Sequence, residues 1–209
     1  MTEADRTTAA PFIPPRPTLA TLRTASKDCE GCPLFQHATQ TVFGEGPETA
    51  RVILIGKQPG DKEDQQGRPF EGPAGRLLDQ ALEEAGVDRR MVYVTNAVKH
   101  FKFEPRGKRR IHRKPGSLEI QACKPWLQAE IEVIGPRIVV CMGATAAQAL
   151  MGPKFRVTQD RGVLLPFEHG TQVMATVHPS SLLRVTDRER RREEYERFVE
   201  DLRLIRTVV

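Results

Sequence analysis

The sequence predicts an α/β fold, a three-layer α/β/α arrangement around a central four-stranded parallel sheet. Three observations carry that expectation. Four short apolar runs, rich in Val and Ile and each closed by a polar residue or a glycine, have the character of strands covered on both faces. Segments with apolar residues at helical spacing lie between them. Alternation of this kind favours parallel strands joined by right-handed crossovers, with helices on both sides of the sheet.

Taken in order, residues 1–17 ("MTEADRTTAAPFIPPRP") are polar and Pro-rich and read as a flexible tail, followed by one domain over 18–209. The first strand is "RVILIG" (51–56). A helix over 72–86 carries Leu77, Leu78, Ala81, Leu82 and Ala85 on one stripe and stops at Gly86. "MVYVTN" (91–96) is the second strand. A helix over 117–135 follows, in which Pro125 should bend or break the early turns. "RIVVCMG" (137–143) leads directly into a helix over 144–152. "TQVMATVHP" (171–179) is the fourth strand, and an amphipathic helix over 187–206 closes the chain, its charge run a solvated face with internal ion pairs.

No stretch approaches the ~18 apolar residues of a membrane span, and the N-terminus has no apolar signal-peptide core. The expectation is a cytoplasmic protein with reduced thiols, with no membrane partner and no sign of an oligomer. The 209 residues carry a net charge of +5, compatible with a nucleic-acid partner. Part of that charge is concentrated in "GKRRIHRKPG" (107–116), which reads as a phosphate-touching loop with one histidine, His112, inside it.

In open parallel sheets ligands bind beyond the carboxyl ends of the strands. Three polar, Gly- or Pro-marked segments stand there: "GKQPGDKEDQQGRPFEGPAG" after the first strand, Asn96 with "AVKHFKF" after the second, and "HPSSLLR" after the fourth.

Four cysteines raise a separate question. "CEGC" (29–32) has the spacing of a metal or cluster site, a structural zinc clip included. Cys123 is a third ligand candidate. Cys141, inside the apolar "IVVCMG", reads as a small core hydrophobe. That leaves His100 as the candidate for a fourth ligand.

Together, "GKQPGDKEDQQGRPFEGPAGRLLD", "VTNAVKHFKF", "GKRRIH" and "VHPSSLLR" resemble the uracil-DNA glycosylase superfamily over roughly residues 25 to 205. They look most like the UdgX type, the cross-linking relatives of the family 4 iron–sulfur glycosylases, for which "KRRIH" is the marker. The resemblance implies a 4Fe–4S cluster on Cys29, Cys32, His100 and Cys123, with histidine in place of the family's third cysteine and Cys141 unused. It implies a partner, uracil-containing DNA, single-stranded DNA included.

Roles follow from the chemistry of removing a base. Asn96 offers an amide donor and acceptor to match the uracil 4-oxo and N3–H edge. Phe70 supplies a stacking face. Gln58, Gly60 and Asp61 of the "QPGD" loop surround the base. His178 donates toward the 2-oxo group, where negative charge develops. Lys108, Arg109, Arg110, Ser180 and Arg184 hold phosphate, and Leu182 or Leu183 fills the gap the flipped nucleotide leaves. The UdgX resemblance implies that His112 attacks the anomeric carbon, where hydrolytic relatives use water, and leaves a lasting protein–DNA bond. The alternatives are an ordinary turnover glycosylase of the family 4 type and a non-catalytic DNA-binding module.

Two positions depart from the family pattern. Lys57 stands where an acidic residue is usual, and Glu71 where an apolar one is. The expectation is that they belong together, Glu71 pairing with Lys57 or replacing the missing carboxylate.

Overall fold

The computed structural model describes residues 8–209. Its strands are β1 (Val52–Gly56), β2 (Val92–Asn96), β3 (Phe103–Arg106), β4 (Arg109–His112), β5 (Ile138–Met142), β6 (Leu165–Pro166) and β7 (Gln172–Thr176). Its helices are α1 (Leu19–Ser26), α2 (Asp61–Gln66), α3 (Pro73–Ala85), α4 (Ser117–Ile134), α5 (Ala144–Met151), α6 (Val157–Asp160), α7 (Pro179–Leu182) and α8 (Arg188–Arg203).

The main sheet has five strands in the order β2-β1-β5-β7-β6. The four expected strands are all present and mutually parallel, as their registers show. The fifth, β6, pairs antiparallel with β7. It has two residues, one of them a proline, so it offers no periodic signal and can only lie at an edge.

Side-chain alternation splits each strand between two cores. Val52, Leu54, Val92, Val94, Ile138 and Val140 face α3 and α8. Ile53, Ile55, Tyr93, Val139 and Cys141 face α1, α4 and α5. Every residue of β1, β2 and β5 is buried, which is why these strands read as continuous apolar runs. This is the three-layer arrangement, with the carboxyl ends of four parallel strands opening on one edge.

Three local expectations are corrected. The expected tail of 1–17 meets a packed stretch, with Ala9, Phe12 and Ile13 in or against the core, and residues 1–7 lie outside the described part. Ala9 is buried and its N–H donates to Ala122 O at 2.7 Å, ahead of a 3-10 turn at Ala10–Phe12. The Pro-rich composition hid a segment that packs on α4. Pro125 does not break α4, which runs unbroken from Ser117 to Ile134. Cys123, Trp126 and Leu127 around it are all buried, and that packing holds the helix against the lost hydrogen bond. Finally, "GKRRIH" is a β-hairpin, with Phe103 opposite His112 and Arg106 opposite Arg109. Its lysines and arginines concealed a strand from composition.

Among the described residues no helix is long and apolar enough to cross a membrane.

Candidate active site

The loops after β1, β2 and β7 enclose a cavity of about 770 Å³ at the carboxyl edge of the sheet, whose lining includes Gln58, Phe70, Asn96, His112 and His178. The end of β1 decides how closely its walls approach. A Cβ on Gly56 would stand 2.4 Å from Asn96 Oδ1 and 2.9 Å from Phe70 Cζ, so only glycine lets both side chains reach the same spot. Phe70 has φ +61°, a left-handed conformation that is costly for an aromatic residue. Behind it, a Cβ on Gly75 would lie 1.6 Å from Phe70 O. Local structure thus forces the Phe70 ring over the cavity, where it lies 6.1 Å from the His178 ring at an interplanar angle of 21°.

Asn96 is 4% exposed at the end of β2. Below it lies a buried polar network that sequence reasoning missed. Lys99 Nζ donates to Glu130 Oε2 at 2.5 Å, to Thr95 Oγ1 at 2.6 Å and to Asn96 O at 2.9 Å. Tyr93 and Thr95 hydroxyls also donate to Glu130. Burial beside Glu130 pushes the Tyr93 hydroxyl well above its usual pKa. The network anchors the strand end that presents Asn96.

His178 caps α7. Its Nδ1 accepts the Ser180 N–H at 3.1 Å and contacts Ser180 Oγ at 2.8 Å. In the neutral ring the proton is therefore on Nε2. Burial, and then the nearby Lys57 and Arg184, lower its pKa to about 4. A neutral donor is fixed in place at the cavity. Leu182 is buried in the core and Leu183 is 44% exposed, so of the two wedge candidates only Leu183 is available. Arg184 and Ser180 both line the cavity, 3.3 Å apart between Nη1 and Oγ.

His112 ends β4, and the hairpin carries it to the cavity rim. Gln58 Nε2 lies 3.0 Å from Arg113 O, 3.2 Å from Lys102 O and 3.1 Å from His112 Nε2. The two carbonyls require the amide nitrogen on that side and take its two hydrogens; an amide nitrogen accepts no hydrogen bond, so the His112 Nε2 beside it is the unprotonated nitrogen and carries a lone pair. Gln58 Oε1 is buried without a partner among the described residues. Partial burial, then Lys57 and Arg184, hold the His112 pKa down to about 4, so the ring is neutral.

Not every expected residue belongs to this constellation. Arg110 is no free phosphate ligand: it pairs with Asp61 at 2.5 Å and Asp64 at 2.6 Å, and lies over the Phe101 and Phe103 rings at 5.4 Å and 5.1 Å. Asp61 is correspondingly held by Arg110 and Gln65 and does not line the cavity, whereas Gly60 does. Together they clamp the hairpin to α2. Lys108 and Arg109 are exposed. The expected Lys57–Glu71 pair is absent: Glu71 is bound by Arg68 at 3.2 Å, and among the described residues Lys57 has no carboxylate within ion-pair distance. Its pairing was inferred from co-occurrence, but Glu71 lies three residues beyond Arg68 and is captured locally.

The chain matches the family model of the uracil DNA glycosylase superfamily over residues 43–203. The chain belongs to the uracil-DNA glycosylase superfamily. It is 41% identical over 167 residues to a type-4 uracil-DNA glycosylase of Thermotoga maritima, covering 79% of this chain and 83% of that one. Type-4 uracil-DNA glycosylases of Sulfurisphaera tokodaii and Archaeoglobus fulgidus are 36% identical over 163 residues (74% of this chain, 71% of the relative) and 34% identical over 175 (80% and 83%).

The cysteines of this uracil-DNA glycosylase relative lie on the face of the sheet that carries α1 and α4. Cys29, Cys32 and Cys123 are all buried, and the last two are near enough to influence one another electrostatically. Trp126 Nε1–H donates to Cys29 Sγ at 3.2 Å, and Lys99 N–H to Cys123 Sγ at 3.2 Å. Such N–H donors are the usual outer partners of thiolate ligands. Burial raises the Cys123 thiol to about 12, so a cation is needed to make it a thiolate. His100 is buried and lowered to about 4, the neutral form that ligates. Among the described residues no three such groups converge tightly enough for a single ion, and a multi-iron cluster holds its ligands further apart than one ion does. Cys141 sits in β5, with burial alone raising its thiol to about 12.

Proposed function

We propose that the chain removes uracil from DNA by hydrolysing the bond between base and deoxyribose and turns over. The observation that carries this reading is the pairing of Asn96 and His178 across one cavity, with the Phe70 ring beside them. The base leaves the stack, because its glycosidic bond is inaccessible in a duplex; a single strand avoids the unpairing cost. Phe70 lies against the flipped ring. The Asn96 amide matches the 4-oxo and N3–H edge, and cytosine, with the reverse pattern, leaves it unpaired. His178 Nε2–H meets the 2-oxo group as the uracil anion departs. Lys108, Arg109, Ser180 and Arg184 contact phosphate, and Leu183 fills the vacated stack. His112, neutral with its Nε2 lone pair at the rim, takes a proton from the attacking water. Every group comes from one chain, in keeping with a monomer.

A second reading gives His112 the attack itself, forming a covalent protein–DNA bond. The observation favouring it is the hairpin, which places that lone pair at the cavity. Against it stands Lys57, a cation at the position where the family pattern has the acidic residue that would balance the imidazolium as it forms. The relatives reported above are named as glycosylases, which supports turnover. Cys29, Cys32, His100 and Cys123 fit a 4Fe–4S cluster as the family resemblance implies. It would tie the N-terminal segment to α4 and to the strand end beyond Asn96, a structural role.

Incubation with uracil-containing single-stranded DNA and a denaturing gel tests both readings. Turnover predicts an abasic product without a shifted band. A shifted band that His112→Ala removes establishes capture. Unchanged DNA contradicts both.

A further inference from the structure

Lys57 is the residue the hydrolytic scheme leaves unused. It lines the same cavity as Asn96, His112 and His178. Lys57 is partly buried, and two cations, Arg184 and Lys114, share the cavity wall with it and act on its charge. Glu71 is held by Arg68, and Glu63, which shares the cavity lining, makes no ion pair with Lys57. Burial first, and then Arg184 and Lys114, lower the Lys57 pKa. A lysine desolvated beside other cations is the recognised setting of an amine that attacks carbonyls. Removing uracil creates such a carbonyl in this cavity, since the abasic deoxyribose opens to an aldehyde at C1′.

We propose that Lys57 gives the protein a second activity, abasic-site lyase, in which its amine forms an imine with the sugar and the strand is cut by β-elimination. Lys57 Nζ adds to C1′, and the carbinolamine loses water to give the protonated imine. A base removes a C2′ proton, a role open to neutral His112 on the lining of the same cavity. The electron pair forms a double bond from C2′, the C3′–O bond breaks, and the 3′ phosphate leaves with that bond's electrons. Water then hydrolyses the imine, freeing the lysine and an unsaturated aldehyde. No oxidant or reductant is consumed. The proposal rests on the uracil-removing reading for its natural substrate but not for its test.

The test uses the full-length protein and an oligonucleotide whose abasic site has been made beforehand. With sodium borohydride present, wild-type protein should form a covalent band on a denaturing gel. Lys57→Arg keeps the charge but cannot form the imine, and should reduce the band at least ~10-fold. Peptide mapping of the reduced band should place the sugar on Lys57 and not on His112, which separates an imine from an imidazole bond. Without borohydride, wild type should cut the strand at the abasic site and Lys57→Arg should not. An undiminished band in Lys57→Arg means that other amines react and overturns the proposal, as does no band in wild type. Uracil release is measured alongside on uracil-containing DNA. Wild type that releases uracil but forms no band defeats the lyase alone; a band on abasic DNA without uracil release defeats the glycosylase reading alone.

Discussion

At His178 a single backbone hydrogen bond, Ser180 N–H to Nδ1, puts the ring's proton on the atom that faces the cavity. Removing one donor aimed at a developing anion typically slows a reaction by about 10²–10³-fold, so His178→Ala should slow single-turnover uracil release by that order without loss of folded protein. Because burial and the neighbouring cations lower both His112 and His178 to about 4, each is neutral at ordinary pH. The release rate should be level from neutrality down to pH ~5 and fall as pH nears 4. Stability carries the same sign. Unfolded histidines, near 6.5, bind protons that the folded ones refuse, so the protein should lose stability as pH drops from about 6.5 toward 4, measurable by denaturant midpoints. At this scale, the sequence exposed Asn96, Phe70 and His178 because they close strands or stand in marked loops. It did not expose Lys99 or the buried Glu130. The available signal was a charged residue at position 130 on the stripe of α4 shared by Ala122, Cys123, Trp126, Leu127 and Ile134, a place where charge is rare unless paired.

Among the elements, the hairpin has the largest consequence for the site. Arg110 holds it to α2 through Asp61 and the fully buried Asp64. Arg110→Ala leaves Asp64 with only its Thr39 partners and should cost about 2–3 kcal/mol in unfolding free energy. The same change should also lower the activity that depends on His112. A mere phosphate contact would show no such loss of stability. Gly56→Ala addresses the end of β1: the added methyl competes with Asn96 and Phe70 for one space, so uracil release should collapse while circular dichroism keeps the native profile. The main strands and long helices were legible because burial on two faces leaves unbroken apolar runs and an apolar stripe. β4 was not, because its exposed arginines look like a loop, and β6 was too short for any period to show.

Across the whole molecule, the proposed function runs the phosphate backbone past Lys108 and Arg109, exposed on the hairpin, and Arg184 at the cavity. Neutralising Lys108 and Arg109 should flatten the salt dependence of DNA binding by roughly one counterion each, while Arg110→Ala should leave that slope unchanged. The cysteine arrangement is global in the same sense, since Cys29 and Cys32 precede β1 while Cys123 lies in α4. If these residues and His100 hold the implied cluster, purified protein should absorb broadly near ~400 nm. Cys123→Ser should lose the colour or the soluble yield, and Cys141→Ser should keep both. Colourless protein with stoichiometric zinc would contradict the cluster. The ligand set could be proposed from the resemblance, yet the N–H donors of Trp126 and Lys99 that point at the sulfurs required the folded chain. The central claim is that this cavity releases uracil catalytically, and counting free uracil against protein on single-stranded DNA with one uracil tests it most directly. The account predicts several uracils per protein molecule from wild type, no base from the thymine or cytosine counterparts, and about a 10²-fold slower release in Asn96→Ala. No uracil from wild type, or equal release from Asn96→Ala, would contradict it.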